Sequence, residues 1–413
     1  VSSPRNSPTP PTSTPSSATT PTGLPVWLVL ACLVLLAFNL RPAATSVGPV
    51  LEEVRAGLSL SPTTTSILTS LPVFAFAVVG GLAPWIARVV GLHRVSLFAL
   101  VAVVIGLGAR ATTDSGTLFL LWTALAVSGM ACANVLAPSL VKLHFPDRIG
   151  FATSCYTTAM ATGLTLAFTA TVPVAEAAGT WRWGLGAWAL VAAVAVVPWI
   201  ALVVRDRKPA AAERTITFGQ VARTPLGWAL AGFFGVQSAI AYSMFGWFAQ
   251  MWRDTGYSAT YAGVLVGLIA AAGIPCSLVL PTLLARVKDQ RVLMMGVIAC
   301  YPIAFAGLLA LPGQYGVLWA LLLGVGGTTF PLILVLVSMR ARTAPGTAAL
   351  SGFTQSVGYL IATPGPLVLG LIHNHAGGWV APIWFLLGLL VPLVALALYV
   401  GRPAYLEDQV RTR

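Results

Sequence analysis

Long apolar runs separated by short polar breaks make up most of this chain. A hydrocarbon core about 30 Å thick is crossed by about 20 helical residues, each rising 1.5 Å. Runs of that length predict six helical spans near 26–50, 64–88, 93–110, 116–141, 149–174 and 183–204. Six more follow near 226–251, 258–285, 292–311, 315–339, 347–373 and 379–400. Only 8% of the residues are charged and 57% are hydrophobic, whereas a soluble domain carries about 25% charged residues. The chain therefore reads as an all-α integral membrane protein.

The polar breaks divide it further. In residues 1–23, 18 residues are Ser, Thr or Pro and Arg5 is the only charge; such a segment has too little apolar surface to fold and is expected to be disordered. It lacks the basic start of a secretory signal, and the apolar run behind it is long enough to stay as a span. The longest internal polar stretch, 205–224, separates a six-span half at 24–204 from another at 225–401, with a short tail at 402–413. An internal repeat supports the division. Ala87-Arg88 recurs as Ala285-Arg286, Arg94-Val95 as Arg291-Val292, Tyr156-Thr157 as Phe353-Thr354 and Trp181 as Trp379, all at an offset of about 197 residues. Halves repeated in this way pack about a pseudo-two-fold along the membrane normal, with the substrate site between them.

Charge changes the picture less than its size suggests. The net charge of +12 comes from 23 Lys and Arg, 18 of which fall in segments on the side of the termini, against four (Arg55, Arg110, Arg182, Arg253) in the opposite loops. That asymmetry is the positive-inside pattern and predicts both termini in the cytoplasm of a multi-pass protein of the plasma (inner) membrane. No basic patch interleaved with aromatics remains to bind nucleic acid. The five cysteines all fall in spans with no CxxC spacing, and read as packing residues. His93 and His144 read as surface residues of basic loops. His373 and His375 lie at a span end with no Cys or carboxylate close by in sequence, so neither a metal nor a cofactor is expected.

The remaining cation is Arg41. It lies about 22 Å along the first span, in a run otherwise uncharged from Val26 to Glu52. Arg at mid-bilayer costs about 2.5–3.5 kcal/mol on insertion scales, so such residues face a cavity or a partner. Its planar fork suits a carboxylate, a nitro group or a small linear anion. Pro42 follows and has no N–H for the Phe38 carbonyl, which invites a kink beside the cation. Other polar residues at depth complete the candidate binding set: Asn39 beside Arg41, Asn134 on the fourth span, Tyr156 on the fifth, Gln237 and Tyr242 on the seventh, Gln355 and Tyr359 on the eleventh. Ser238 stands 197 residues after Arg41, so the repeat register places Gln237 and Ser238 opposite it. No acidic residue lies deep in a span, and no paired carboxylates, HExxH or Ser with a base suggests a membrane enzyme.

The segments Asn39-Leu40-Arg41-Pro42, Thr45-Ser46-Val47-Gly48-Pro49, Asn134-Val135-Leu136-Ala137-Pro138-Ser139, Tyr156-Thr157-Thr158, Trp181-Arg182-Trp183 and Ser351-Gly352-Phe353-Thr354-Gln355 resemble the major facilitator superfamily, and within it the cyanate and 2-nitroimidazole transporter branch. The loop signature between spans two and three departs from that family: Arg88-Val89-Val90-Gly91-Leu92-His93-Arg94 lacks its Asp. The Gly-Pro-Gly-Gly pattern of proton-driven drug antiporters is missing from span five. The resemblance implies a monomeric secondary carrier in a lipid bilayer, moving a small polar or anionic solute by alternating access. The alternatives are a drug or metabolite exporter of the same fold in which Arg41 is structural and, more remotely, a polytopic membrane enzyme.

Overall fold

The computed structural model describes residues 25–145, 148–204, 217–287, 289–342 and 344–411. The expected disordered tail at 1–23 and most of the 205–224 linker lie outside the described residues. Twelve stretches are long and apolar enough to cross a membrane. The first six are Val26–Gly57, Pro62–Ala87, Leu92–Thr112, Gly116–Val141, Cys155–Ala177 and Trp181–Val204. The second six are Pro225–Asp254, Ala259–Cys276, Gln290–Ala310, Gly316–Met339, Ala349–Ala376 and Val380–Val400. They are called spans one to twelve below.

The spans start where the sequence supplies caps. Ser61 accepts the Thr64 amide at 3.1 Å ahead of span two, Ser258 the Tyr261 amide at 3.2 Å ahead of span eight, and Thr224 the Gly227 amide at 3.1 Å ahead of span seven. Each satisfies an N–H left orphaned by the first helical turn. Pro62 and Pro225 occupy the first turn, where a missing N–H costs nothing. Side chains such as Val197, Val292 and Val391 stay exposed, which is the surface a lipid-facing bundle presents. Inside the bundle small residues set the spacing. A Cβ on Gly106 of span three would sit 2.5 Å from the Trp122 carbonyl of span four, an approach only Gly allows.

Among the described residues, five spans are interrupted: nine at Ala299, ten at Thr328 and eleven at Thr363, together with one and two. Span one is helical over Val26–Asn39, turns at 40–41, makes one helical turn at Pro42–Thr45, and resumes through a 3-10 segment at Gly48–Val50 into Leu51–Gly57. Pro42 and Pro49 account for both breaks, since neither can donate back along the helix. Span two widens into a π segment at Phe76–Gly80, one turn after Pro72.

The two sets of six meet most closely towards the end that carries loop 58–61. Arg253 of span seven pairs with Glu53 of span one at 2.9 Å, and Thr260 donates to Glu176 at 3.2 Å. Trp247 of span seven donates to Thr69 Oγ1 of span two at 3.1 Å. A cavity of about 230 Å³ opens there, lined by Glu52, Arg55, Gln250, Asp254 and His373.

At the opposite end Arg340 donates to the Val400 carbonyl at 3.0 Å and to Gln290 Oε1 at 3.2 Å. The helix Leu406–Arg411 is tied down there by Arg342 to Asp408 and by the Leu226 amide to Gln409. His93 and His144 correct the loop reading of the sequence. Both are buried, their Nε2 atoms are 2.7 Å apart, and they join spans three and four beside Trp199. Arg110, counted above among loop residues, lies inside the last turn of span three and is fully buried.

Candidate functional site

Arg41 sits at the first break of span one and caps the single turn that follows. Its carbonyl is held by the Ala44 and Thr45 amides at 3.0 and 3.1 Å and by Thr45 Oγ1 at 2.9 Å. The guanidinium is partly buried and donates through Nη1 to the Tyr242 hydroxyl of span seven at 3.2 Å. That bond crosses from one half to the other. Among the described residues, Arg41 has no carboxylate in ion-pair range.

Aromatic rings from both halves pack around Tyr242. Tyr359 of span eleven stacks on Phe76 of span two at 4.5 Å between centroids and 18° between planes. Tyr242 meets Tyr359 edge-on at 6.3 Å, and Phe234 does so at 4.9 Å. Tyr156 and Tyr359 are both close enough to Arg41 to feel its charge. Four of the candidates (Arg41, Tyr156, Tyr242, Tyr359) thus gather at one place, on spans one, five, seven and eleven. Beyond Tyr242 lies a narrow cavity of about 20 Å³, lined by Thr45, Thr69, Thr123, Phe245 and Gly246. It has room for about one water molecule.

The other four candidates are placed differently. Asn39 is buried and returns its Nδ2 to the Leu35 carbonyl of its own helix at 2.8 Å. Gln355 donates to Ser351 one turn back at 2.9 Å. Gln237 is fully buried and donates to Ser238 at 2.7 Å, and its Oε1 has no partner among the described residues. Asn134 is partly buried on span four, with exposed Pro138 one turn further. Opposite Arg41 stands Tyr242, one turn beyond the Ser238 that the repeat register indicates.

Sequence reasoning missed Phe76, whose ring backs Tyr359, and the hydroxyls of Thr69 and Thr123, because an isolated Phe or Thr in an apolar run carries no positional signal. It also misplaced Arg110. The clue was available there: extending span three by two residues, to Thr112, brings that cation inside it.

Chemically, the place offers one permanent cation with donor capacity to spare, phenol groups that both donate and accept, and flat ring faces. It has no nucleophile–base pair. Such a set binds and orients a small planar or anionic group and does not cleave one.

Comparison with known proteins agrees with this architecture. Residues 27–363 match the Major Facilitator Superfamily. The chain is 35% identical to the uncharacterized transporter YycB of Bacillus subtilis (strain 168), over 94% of its length and 96% of the relative's. It is 32% identical to the 2-nitroimidazole transporter of Escherichia coli (strain K12), over 91% and 95%. With the cyanate transport protein CynX of the same organism it shares 30%, over 85% and 91%. Among solved structures the nucleoside transporter NupG superimposes with a TM-score of 0.72 at 14% identity, over 90% of this chain and 98% of that one, a likeness of fold alone. The twelve spans, the broken first span with its cation and these matches together place the chain in the Major Facilitator Superfamily, as a membrane transporter of the branch that includes the cyanate and 2-nitroimidazole transporters.

Proposed function

We propose that the protein is a secondary carrier that moves a small anion or a nitro-heterocycle by alternating access, and that Arg41 is the group the substrate engages. One observation carries the reading: a permanent cation at the centre of the bundle whose one side-chain partner across the halves, among the described residues, is a neutral phenol. A buried charge without a counter-ion is costly, and an anionic or nitro-bearing substrate would supply what is missing. The relatives that transport 2-nitroimidazole and cyanate are of the chemistry such a fork accepts. The ring faces of Tyr242, Tyr359 and Phe76 favour a flat ligand, because stacking adds to the charge-assisted contact.

In this reading residues 24–204 and 225–401 are the two moving units, joined through 205–224. The pair Arg253–Glu53 and the contact Thr260–Glu176 close one end of the path. The protein works as a monomer, because both faces of the site come from one chain.

A thermal-shift series on detergent-purified protein tests the reading, since a ligand that binds only the folded state raises its apparent stability. Cyanate or 2-nitroimidazole should raise the melting temperature in a saturable way, and Arg41→Ala should move the ligand concentration at half-rise up by about 10- to 150-fold. An unchanged half-rise concentration in Arg41→Ala favours the exporter alternative, with the cation structural. Tyr242→Phe removes one hydrogen bond to the cation and keeps the ring. It should weaken the same ligand by about 2- to 10-fold, the value of a net bond of about 0.5–1.5 kcal/mol. An unchanged midpoint in the ligand titration would place Tyr242 outside the site.

Orientation is tested separately. Reporter fusions after Arg5 and after Arg413 should both report the cytoplasm, as 18 basic residues on that side require. A split result is incompatible with twelve spans.

A further inference from the structure

Arg110 has no role in the binding set, yet it is 0% exposed and lies among apolar side chains in the last turn of span three. A cation is seldom kept there without a partner. Among the described residues it makes no ion pair, and its Nε has no hydrogen-bond partner. Its two terminal nitrogens reach across to span one: Nη1 donates to the Ala43 carbonyl at 3.0 Å and Nη2 to Ser46 Oγ at 2.8 Å.

Both acceptors belong to the short segment between the two breaks. Ala43 lies in the single turn Pro42–Thr45, too short to provide partners for its own last carbonyls. Ser46 follows that turn and donates its hydroxyl to the Pro42 carbonyl at 2.6 Å. The hydroxyl therefore accepts from Arg110 while it donates to the residue next to Arg41. Thr45 Oγ1 in turn donates to the Arg41 carbonyl at 2.9 Å. Hydrogen bonds thus tie span three to the segment 42–46, and a separate one ties that segment to the backbone of Arg41. Two prolines weaken this segment, and the fork of Arg110 adds two bonds to it from span three.

We propose that Arg110 is a positioning residue: it fixes the one-turn segment 42–45 to span three and thereby sets Arg41 at the distance from Tyr242 at which a substrate is held. It also keeps the middle of span one with the first half, so that Arg41 moves with that half when the halves separate. The fork geometry matters as well as the charge, because two acceptors on successive turns are met at once.

Two measurements on the full-length purified protein test this. The first needs no ligand. Amide hydrogen exchange in Arg110→Gln should speed up by about tenfold or more over residues 40–50, the value of a lost charge-assisted bond, while spans three and four keep their protection. Faster exchange spread evenly over all spans would mean a general packing role and would overturn the proposal.

The second measurement rests on the reading of Arg41 given above and uses 2-nitroimidazole and cyanate as probes. Arg110→Gln should weaken the bound probe by about tenfold, with Arg110→Lys recovering only part. In the Arg41→Ala background the same change should add less than about twofold, because the two residues act as one unit. Full additivity would show that Arg110 acts independently of Arg41.

Ser46→Ala covers the case in which Arg110→Gln does not fold. It removes one acceptor, keeps the cation, and should give the same local exchange pattern at reduced size; unchanged exchange there overturns the proposal. Local exchange without any probe binding would retain the positioning role and reject the substrate reading.

Discussion

Arg41→Ala should reach the membrane, fold, and lose substrate affinity and transport by about 10- to 150-fold. The figure follows from a charge-assisted contact in a water-poor site, which contributes about 1.5–3 kcal/mol. Folding should survive because Arg41 is partly buried and its only side-chain hydrogen bond among the described residues is the one to Tyr242. The backbone bonds that hold the break, from the Ala44 and Thr45 amides to the Arg41 carbonyl, do not depend on its side chain. Arg41→Lys should restore only part of the loss, since a point charge replaces a planar fork. Uptake of labelled substrate into vesicles at matched protein levels is the measurement. Normal uptake at reduced expression would make the residue structural.

The second large effect is expected at Gly163 of span five. A Cβ there would collide with the Phe38 carbonyl of span one. That carbonyl is the one Pro42 leaves without a helical donor, so spans one and five come into backbone contact where span one starts to break. Gly163→Ala should cost about 1–3 kcal/mol and Gly163→Val more, because a packed interior gives way only by moving backbone. Because Phe38 stands three residues before Arg41, the shift should also lower ligand affinity. Melting temperature and ligand titration on the same preparation check both effects. A Gly163→Ala protein with unchanged values in each would show that the two spans can separate freely at that level.

Much of this was legible without coordinates. A 20-residue apolar run has one stable arrangement in lipid, the helix, because every backbone group must be paired within the segment. Span number follows from that constraint, and so does the prominence of Arg41, since a cation in such a run is conspicuous. The side chains around it were less legible. Asn39 and Gln355 were read as facing the cavity, yet each turns to an acceptor one turn away on its own helix. A polar group in apolar surroundings takes the nearest partner, and spacing along the chain does not say which partner is nearest. His93 and His144 were read as loop residues for a related reason. A titratable side chain at the end of an apolar run looks the same whether it meets water or another helix.

What the sequence determined by itself is the class, the twelve spans and the lone cation of span one, because these depend on local composition and on the cost of placing charge in hydrocarbon. The partner of that cation depends on tertiary structure. Tyr242 rather than Ser238 meets Arg41, one turn further along span seven than the repeat register indicates. The bonds from Arg110 to the Ala43 carbonyl and Ser46 Oγ likewise exist only because span three packs against span one. Neither arrangement follows from residue spacing, because each is set by where one helix axis lies relative to another.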